Sequence, residues 1–276
     1  MTRRALVLGG GGITGIAWEW GILSGLKAAG VDLGDADLVV GTSAGSVVGA
    51  QVATGLDFAD RYEAQLVPPD GEIAGVLGPG LLLRYGLAIV SGPRAPRKVR
   101  VRIGKLAERA STVPEAERVA VIESRLPVHE WPERELRITA VDVETGEFRA
   151  FDRAAGVSLV LAVAASCAVP GVWPPVTIDG RRYMDGGVRS GANADLAAGY
   201  DRVVVLAPLP RGVGTGAAAQ VEALRASARA ELVTPDRDAL KAFGRNVLDP
   251  AKRAAAARAG LAQSASVIER VRSVWR

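Results

Sequence analysis

Gly41-Thr42-Ser43-Ala44-Gly45 follows directly on the apolar run Leu38-Val39-Val40 and leads at once into an Ala/Gly/Val segment. A buried strand that meets Gly-x-Ser-x-Gly just before a helix has the outline of a nucleophile elbow. The serine caps a tight turn in strained backbone, so the residues two positions to either side must lack side chains that would collide. Such a turn lifts the hydroxyl above the sheet edge and sets the next N–H at a helix start, where developing negative charge is stabilised. In a chain with 33 glycines the pentapeptide alone is a weak signal.

One strand–helix unit earlier stands Gly10-Gly11-Gly12-Ile13-Thr14-Gly15, after the apolar Ala5-Leu6-Val7-Leu8. Glycines between a strand and a helix let backbone N–H groups converge on an anion. The spacing also fits Gly-x-Gly-x-x-Gly, which makes a nucleotide-binding α/β module the competing reading. The acidic residue expected at the end of the next strand is missing, because that strand ends in Gly41-Thr42-Ser43. No Gly-Lys-Ser/Thr closes the loop, so a phosphate-binding P-loop does not fit either. The other option is an oxyanion hole whose amides face a serine on the adjacent strand.

A serine nucleophile needs a base, and the only histidine, His129, sits in the polar segment Val128-His129-Glu130-Trp131-Pro132. It lacks strand-end character and precedes every plausible late acid, against the Ser–acid–His order of α/β-hydrolases. Asp185 is the alternative, in Tyr183-Met184-Asp185-Gly186-Gly187, where a Gly-Gly turn fixes the direction of a short carboxylate. To act at neutral pH it must be partly desolvated or hydrogen-bonded directly to the serine. Read alone, this is an ordinary Asp-Gly turn.

The three segments in this order, with Ala165-Ser-Cys-Ala-Val-Pro170-Gly171 and Asp185-Gly-Gly-Val-Arg-Ser-Gly-Ala-Asn193, resemble the patatin-like phospholipase family over roughly residues 5–210. The resemblance implies a three-layer α/β/α fold with a mainly parallel central sheet, and a serine acyl hydrolase that works with a Ser–Asp dyad. Carried across, Ser43 is the nucleophile, Asp185 the base, and the amides of Gly10, Gly11 and Gly12 the oxyanion hole; Gly15, Gly41, Gly45, Gly186 and Gly187 support the motifs. The implied substrate is a lipid or another hydrophobic carboxylic ester, and no cofactor or metal is required. One departure bears on the substrate: Thr14 stands where the family usually keeps Arg or Lys. Cys167 lies among small residues and reads as packing.

The elements that must position these groups follow from periodicity. Residues 5–8 and 38–40 read as short buried strands, each leading into a helix (13–29 and 44–54), which implies a parallel sheet covered on both faces. A helix is expected over 58–66, a break at Pro68-Pro69-Asp70-Gly71, and another helix over 114–125. Residues 136–142 with 148–151, and 176–178 with 181–184, form hairpins around Glu144-Thr145-Gly146 and Asp179-Gly180. Residues 157–169 read as a helix ended by Pro170-Gly171, and 203–206 as a buried strand. The Gly-interrupted apolar stretch 73–90 is either a loop packed on the core or a mobile cover over an apolar site, the former slightly favoured. Everything after about 217 is expected to be mostly helical, and the whole chain, 1–276, to form one domain.

At 276 residues and 49% hydrophobic content the chain can bury a sizeable core. A single Cys and a single His exclude an intrachain disulfide and a Cys- or His-based metal cluster. The run after Met1-Thr2-Arg3-Arg4 is too short for a secretory leader, and 157–179 is too broken by Ser, Pro and Gly for a membrane span, so a cytoplasmic location is expected. Net charge is only +4, but residues 81–110 hold eight Lys/Arg (84, 94, 97, 98, 100, 102, 105 and 109) against Glu108. Such a segment is either a solvated face or a patch drawn to anionic membrane, which leaves a catalytically silent membrane-associating protein as a further alternative. No nucleic-acid partner is expected, since no aromatic-rich or zinc-type reader accompanies the charge.

Overall fold

The computed structural model describes residues 2–68, 74–92, 95–210 and 214–276. Two strand–turn–helix units open the chain: β1 (Arg4–Leu8) with α1 (Gly12–Ala28), then β2 (Leu38–Gly41) with α2 (Ala44–Ala53). Four helices follow, α3 (Phe58–Leu66), α4 (Pro79–Val90), α5 (Pro96–Glu108) and α6 (Glu115–Ser124). Next come β3 (Glu135–Asp142), β4 (Phe148–Phe151), α7 (Leu159–Ser166), β5 (Val176–Ile178), β6 (Arg181–Asp185) and β7 (Arg202–Leu206). The chain finishes with α8 (Ala217–Leu224), β8 (Arg229–Val233), α9 (Arg237–Phe243) and α10 (Arg253–Trp275).

The strands form one sheet in the order β5-β6-β3-β2-β1-β7-β8, with β4 on β3. Pairing is parallel from β3 through β2, β1 and β7 to β8, and antiparallel at β4, β5 and β6. Alternation along the central strands sorts the core into two layers. Leu6, Leu8 and Val39 point into the layer built with α1, α2, α7 and α10, whereas Ala5, Val7, Leu38 and Val40 meet α8 and the turn at 194–197. Strands apolar on both faces are what a sheet covered on both sides requires.

Local sequence explains most boundaries. The Asp57 carboxylate caps α3 by accepting from the N–H groups of Ala59 and Asp60, and Ser158 caps α7 through the Leu161 N–H, so α7 starts at 159 rather than 157. The C-terminal region is mostly helical, as expected, and it also holds a strand that the sequence reading did not include: Arg229–Val233 is the edge strand β8, parallel to β7. Only Ala230 and Val233 are buried, on opposite faces of the sheet, so its sequence carries little strand signal and its place is set by pairing. The stretch expected as a core loop or a cover contains the helix α4, much of it exposed, and the basic run is the helix α5. The break expected at positions 69–71, like Ile73 and Arg94, lies outside the described residues.

Candidate active site

The serine turn stands where its spacing predicts, between β2 and α2, with Ser43 at φ 52° and ψ −117°. Positive φ is costly for a residue with a Cβ and persists only where the surroundings impose it. Here the Ser43 N–H donates to Ser166 Oγ (2.9 Å), while its carbonyl accepts from Ser46 Oγ (2.6 Å) and Cys167 Sγ (3.3 Å). Gly45 has to be glycine, because a Cβ there would run into the Leu8 carbonyl. Cys167 is buried, and burial followed by the nearby Asp185 charge pushes its thiol up, away from the reactive thiolate.

Strand register brings Asp185 to this serine. Gly41 and Phe151 both pair with Ile138, so β2 and β4 occupy opposite edges of β3. Arg149 and Asp185 both pair with Ala140, which puts β6 on the edge of β3 that β2 uses. The strands run in opposite directions along that edge, and their C-terminal ends meet head to head at Thr139. Ser43 follows one end and Asp185 closes the other.

The Ser43 hydroxyl favours the ionised form of the Asp185 carboxylate, as does the Gly187 N–H, which donates to Asp185 Oδ1 at 2.7 Å. Burial outweighs both and pushes the carboxyl pKa up to about 6. A carboxylate at that pKa is a far better base than an exposed one and is still ionised at neutral pH.

A buried polar cluster ties the two strand ends together, and it is not apparent in the sequence. Thr42 Oγ1 and Thr139 Oγ1 are 2.8 Å apart. The Asn193 side-chain amide donates to Thr42 Oγ1 (3.0 Å), to the Ser190 carbonyl (2.9 Å) and to the Gly186 carbonyl (3.3 Å). Its Oδ1 accepts from Arg189, which is paired with Asp195. Asn193 closes the segment that begins at Asp185, and that position was its only signal.

The glycine loop flanks the serine: a Cβ on Gly10 would lie 3.4 Å from Ser43 Cβ. One expected role needs correction. The Gly10 N–H is already engaged, donating to the Gly191 carbonyl at 2.7 Å. Among the described residues, the N–H groups of Gly11 and Gly12 have no backbone acceptor outside the helix, and both glycines line the same cavity as Ser43. Thr14 is fully buried; its N–H (3.1 Å) and hydroxyl (3.3 Å) both reach the Val247 carbonyl, fastening the loop to the segment before α10.

The cavity over Ser43 and Asp185 has a volume of about 360 Å³. Ser43 and Asp185 lie on its polar side, and Leu82, Tyr85, Ile89 and Leu248 supply an apolar wall, three of them from α4. The half-buried Tyr85 phenol, held well above its ordinary pKa by desolvation, donates to the Pro170 carbonyl at 2.5 Å. His129 is exposed, 3.7 Å from the Glu123 carboxylate, and does not line this cavity.

The fold is a mainly parallel α/β sandwich with its serine on a strained strand-to-helix turn near a buried aspartate. Residues 6–198 match the family described as patatin-like phospholipase, and the chain belongs to that family, whose class of activity is lipid hydrolysis. Among solved structures, the chain is similar to VipD from Legionella pneumophila (13% identity, TM-score 0.49), covering 98% of this chain and 67% of that one. It is also similar to the type III effector protein ExoU (16% identity, TM-score 0.45), where 98% of this chain spans 53% of the other. No curated protein matches significantly. Among the described residues no helix is long and apolar enough to cross a membrane.

Proposed function

We propose that the chain is a serine acyl hydrolase that cleaves lipid or other hydrophobic carboxylic esters with a Ser43–Asp185 dyad. The observation that carries this reading is that Ser43, on its strained turn, and the desolvated Asp185 carboxylate line the same apolar cavity. Ser43 Oγ attacks the ester carbonyl and its proton passes to Asp185. The carbonyl oxygen becomes an oxyanion, for which the Gly11 and Gly12 N–H groups at the start of α1 are the donors; removing one such donor costs other hydrolases about 3 kcal/mol. The intermediate collapses, the C–O bond to the alcohol breaks, and the alcohol leaves with the proton from Asp185. Water then enters, gives a proton to Asp185 and attacks the acyl-enzyme. Ser43 recovers that proton as the free acid departs.

In this reading no cofactor or metal takes part, Gly10 supports the loop through Gly191 without being a donor, and Thr14 holds the loop by hydrogen bonding. The same reading expects a cytoplasmic location. The test is labelling by a serine-reactive fluorophosphonate beside Ser43→Ala. Wild type should be labelled and the variant not; equal labelling of both, or a folded and fully active Ser43→Ala protein, ends the proposal.

A further inference from the structure

Helix α4 is apolar but for Arg84, Leu81-Leu82-Leu83-Arg84-Tyr85-Gly86-Leu87-Ala88-Ile89-Val90, yet it lies at the surface. A helix of that composition is normally buried all round. Its inner side, with Tyr85, Ala88 and Ile89, joins a small cluster that includes Val99, Ile103 and Met184 and is separate from the main core. Its outer side presents Leu83, Leu87 and Val90, spaced as one helical stripe and 66%, 55% and 59% exposed. These side chains, with the half-exposed Leu82, account for four of the seven large hydrophobic residues that the described surface exposes. Clustering of that kind on one helix marks a contact surface.

Charge says what kind of surface meets it. Arg84 on α4 is exposed, and the exposed Lys98 and Lys105 of α5, with Arg109 just past its end, fall on one stripe opposite the buried Val99, Ile103 and Ala107. None of these four cations is paired with an acid among the described residues. Apolar side chains flanked by unpaired cations suit the boundary of an anionic bilayer, where leucines enter the acyl region and lysines meet the headgroups. Position links the face to the chemistry: Leu82 is 55% exposed and also lines the cavity over Ser43 and Asp185, so the outer apolar face continues into the site.

We propose that the outer face of α4 and the basic stripe of α5 dock on the surface of an anionic lipid bilayer, with the apolar cavity opening towards it. This rests on the hydrolase reading only for its purpose, since docking needs neither Ser43 nor turnover.

The test is sedimentation of the chain with phosphatidylcholine vesicles, with and without a quarter phosphatidylglycerol. Phosphatidylglycerol should strengthen binding about tenfold or more, and added salt should weaken it. Leu83→Glu with Leu87→Glu should lower the partition coefficient at least tenfold, and both positions are exposed enough to spare the fold. Lys98→Glu with Lys105→Glu should abolish the preference for phosphatidylglycerol. Binding that survives both double variants overturns the proposal. So does a chain whose oligomer dissociates in the leucine variant while vesicle binding is unchanged, because a second copy then covers the face. Fluorophosphonate labelling of the same preparation separates the two readings: vesicle binding without labelling refutes the hydrolase and leaves the docking face, and labelling without vesicle binding does the reverse.

Discussion

The Asn193 side-chain amide donates to the Thr42 hydroxyl at 3.0 Å and to the Gly186 carbonyl at 3.3 Å, bridging the residue before Ser43 and the residue after Asp185. The bridge is wholly buried. It holds together two strand ends that no backbone ladder joins directly, since each pairs with β3.

Asn193→Gly removes the amide while tolerating the left-handed backbone at φ 53°. The Thr42 hydroxyl and Gly186 carbonyl then lose a buried donor, a cost of about 1–3 kcal/mol in stability. Loosening the dyad should cut kcat by roughly tenfold to a hundredfold with KM little changed, because misplacement of about an ångström costs that much. Stopped-flow ester hydrolysis and thermal unfolding of the variant check both figures. A wild-type kcat in a destabilised protein would confine Asn193 to folding.

Asp185 sets the pH behaviour. Its carboxyl titrates near pH 6 in the folded chain, so kcat/KM on a soluble ester should rise through an acid limb with an apparent pKa of about 6 and level off above pH 7. The stability effect has the opposite sense. The folded pKa lies above the unfolded value of about 3.9, so the native state holds more protons between roughly pH 4 and 6. The stability this group contributes is therefore complete below pH 4 and lost as the pH rises through 6. Asp185→Asn should be inactive, yet at pH 7.5 more resistant to urea than wild type by on the order of 2 kcal/mol, with the gap closing towards pH 4. A gap that is independent of pH would contradict the desolvated carboxylate.

Backbone strain at Ser43 gives a test that needs no substrate. Ser43 holds φ 52° with a Cβ, and alanine would keep that cost whereas glycine would not. Ser43→Gly should exceed Ser43→Ala in stability by about 1 kcal/mol or more, both being inactive. Equal stability of the two would mean the turn relaxes when its hydroxyl is removed.

His129 offers a control. It is exposed and only loosely placed against Glu123, and such surface pairs contribute about 0–1 kcal/mol. His129→Ala should leave ester turnover within twofold of wild type over the whole pH range. A large loss would restore a histidine-based mechanism.

The sequence displayed the parts of this site better than their assembly. Ser43 and Asp185 were legible because glycines fix the turns that present them, and glycine patterns are local. The strands Leu38–Gly41 and Arg202–Leu206 were legible because a sheet covered on both faces needs unbroken apolar runs. The head-to-head meeting of β2 and β6 at Thr139 was not, because it depends on register against a third strand. Nor was the direction of the Gly10 N–H, which is set by Gly191, or the anchoring of Thr14 by Val247 across 233 positions of chain. Helix α1 shows the same limit. Its apolar residues Ile16, Leu23 and Leu26 suggest one buried face, yet Trp18, Glu19 and Trp20 on other faces are buried too, because α10 closes over its outer side.

Helix α4 carries Gly86 in its interior, at a place where an added Cβ would meet nothing. No close approach or positive φ requires glycine there, so it acts only by weakening the helix, by about 1 kcal/mol relative to alanine. A weak helix over the cavity is held by little besides α5, the small cluster around Ala88 and the Tyr85–Pro170 hydrogen bond, and it should open well before the main core. Gly86→Ala should therefore slow hydrogen exchange of the α4 amides about fivefold while the global unfolding midpoint barely moves. Tyr85→Phe should speed the same amides by a comparable factor, since it removes one half-buried hydrogen bond worth about 1 kcal/mol. If instead both substitutions shift the midpoint and leave α4 exchanging with the core, the helix unfolds only with the whole chain, and access to Ser43 cannot depend on its local opening.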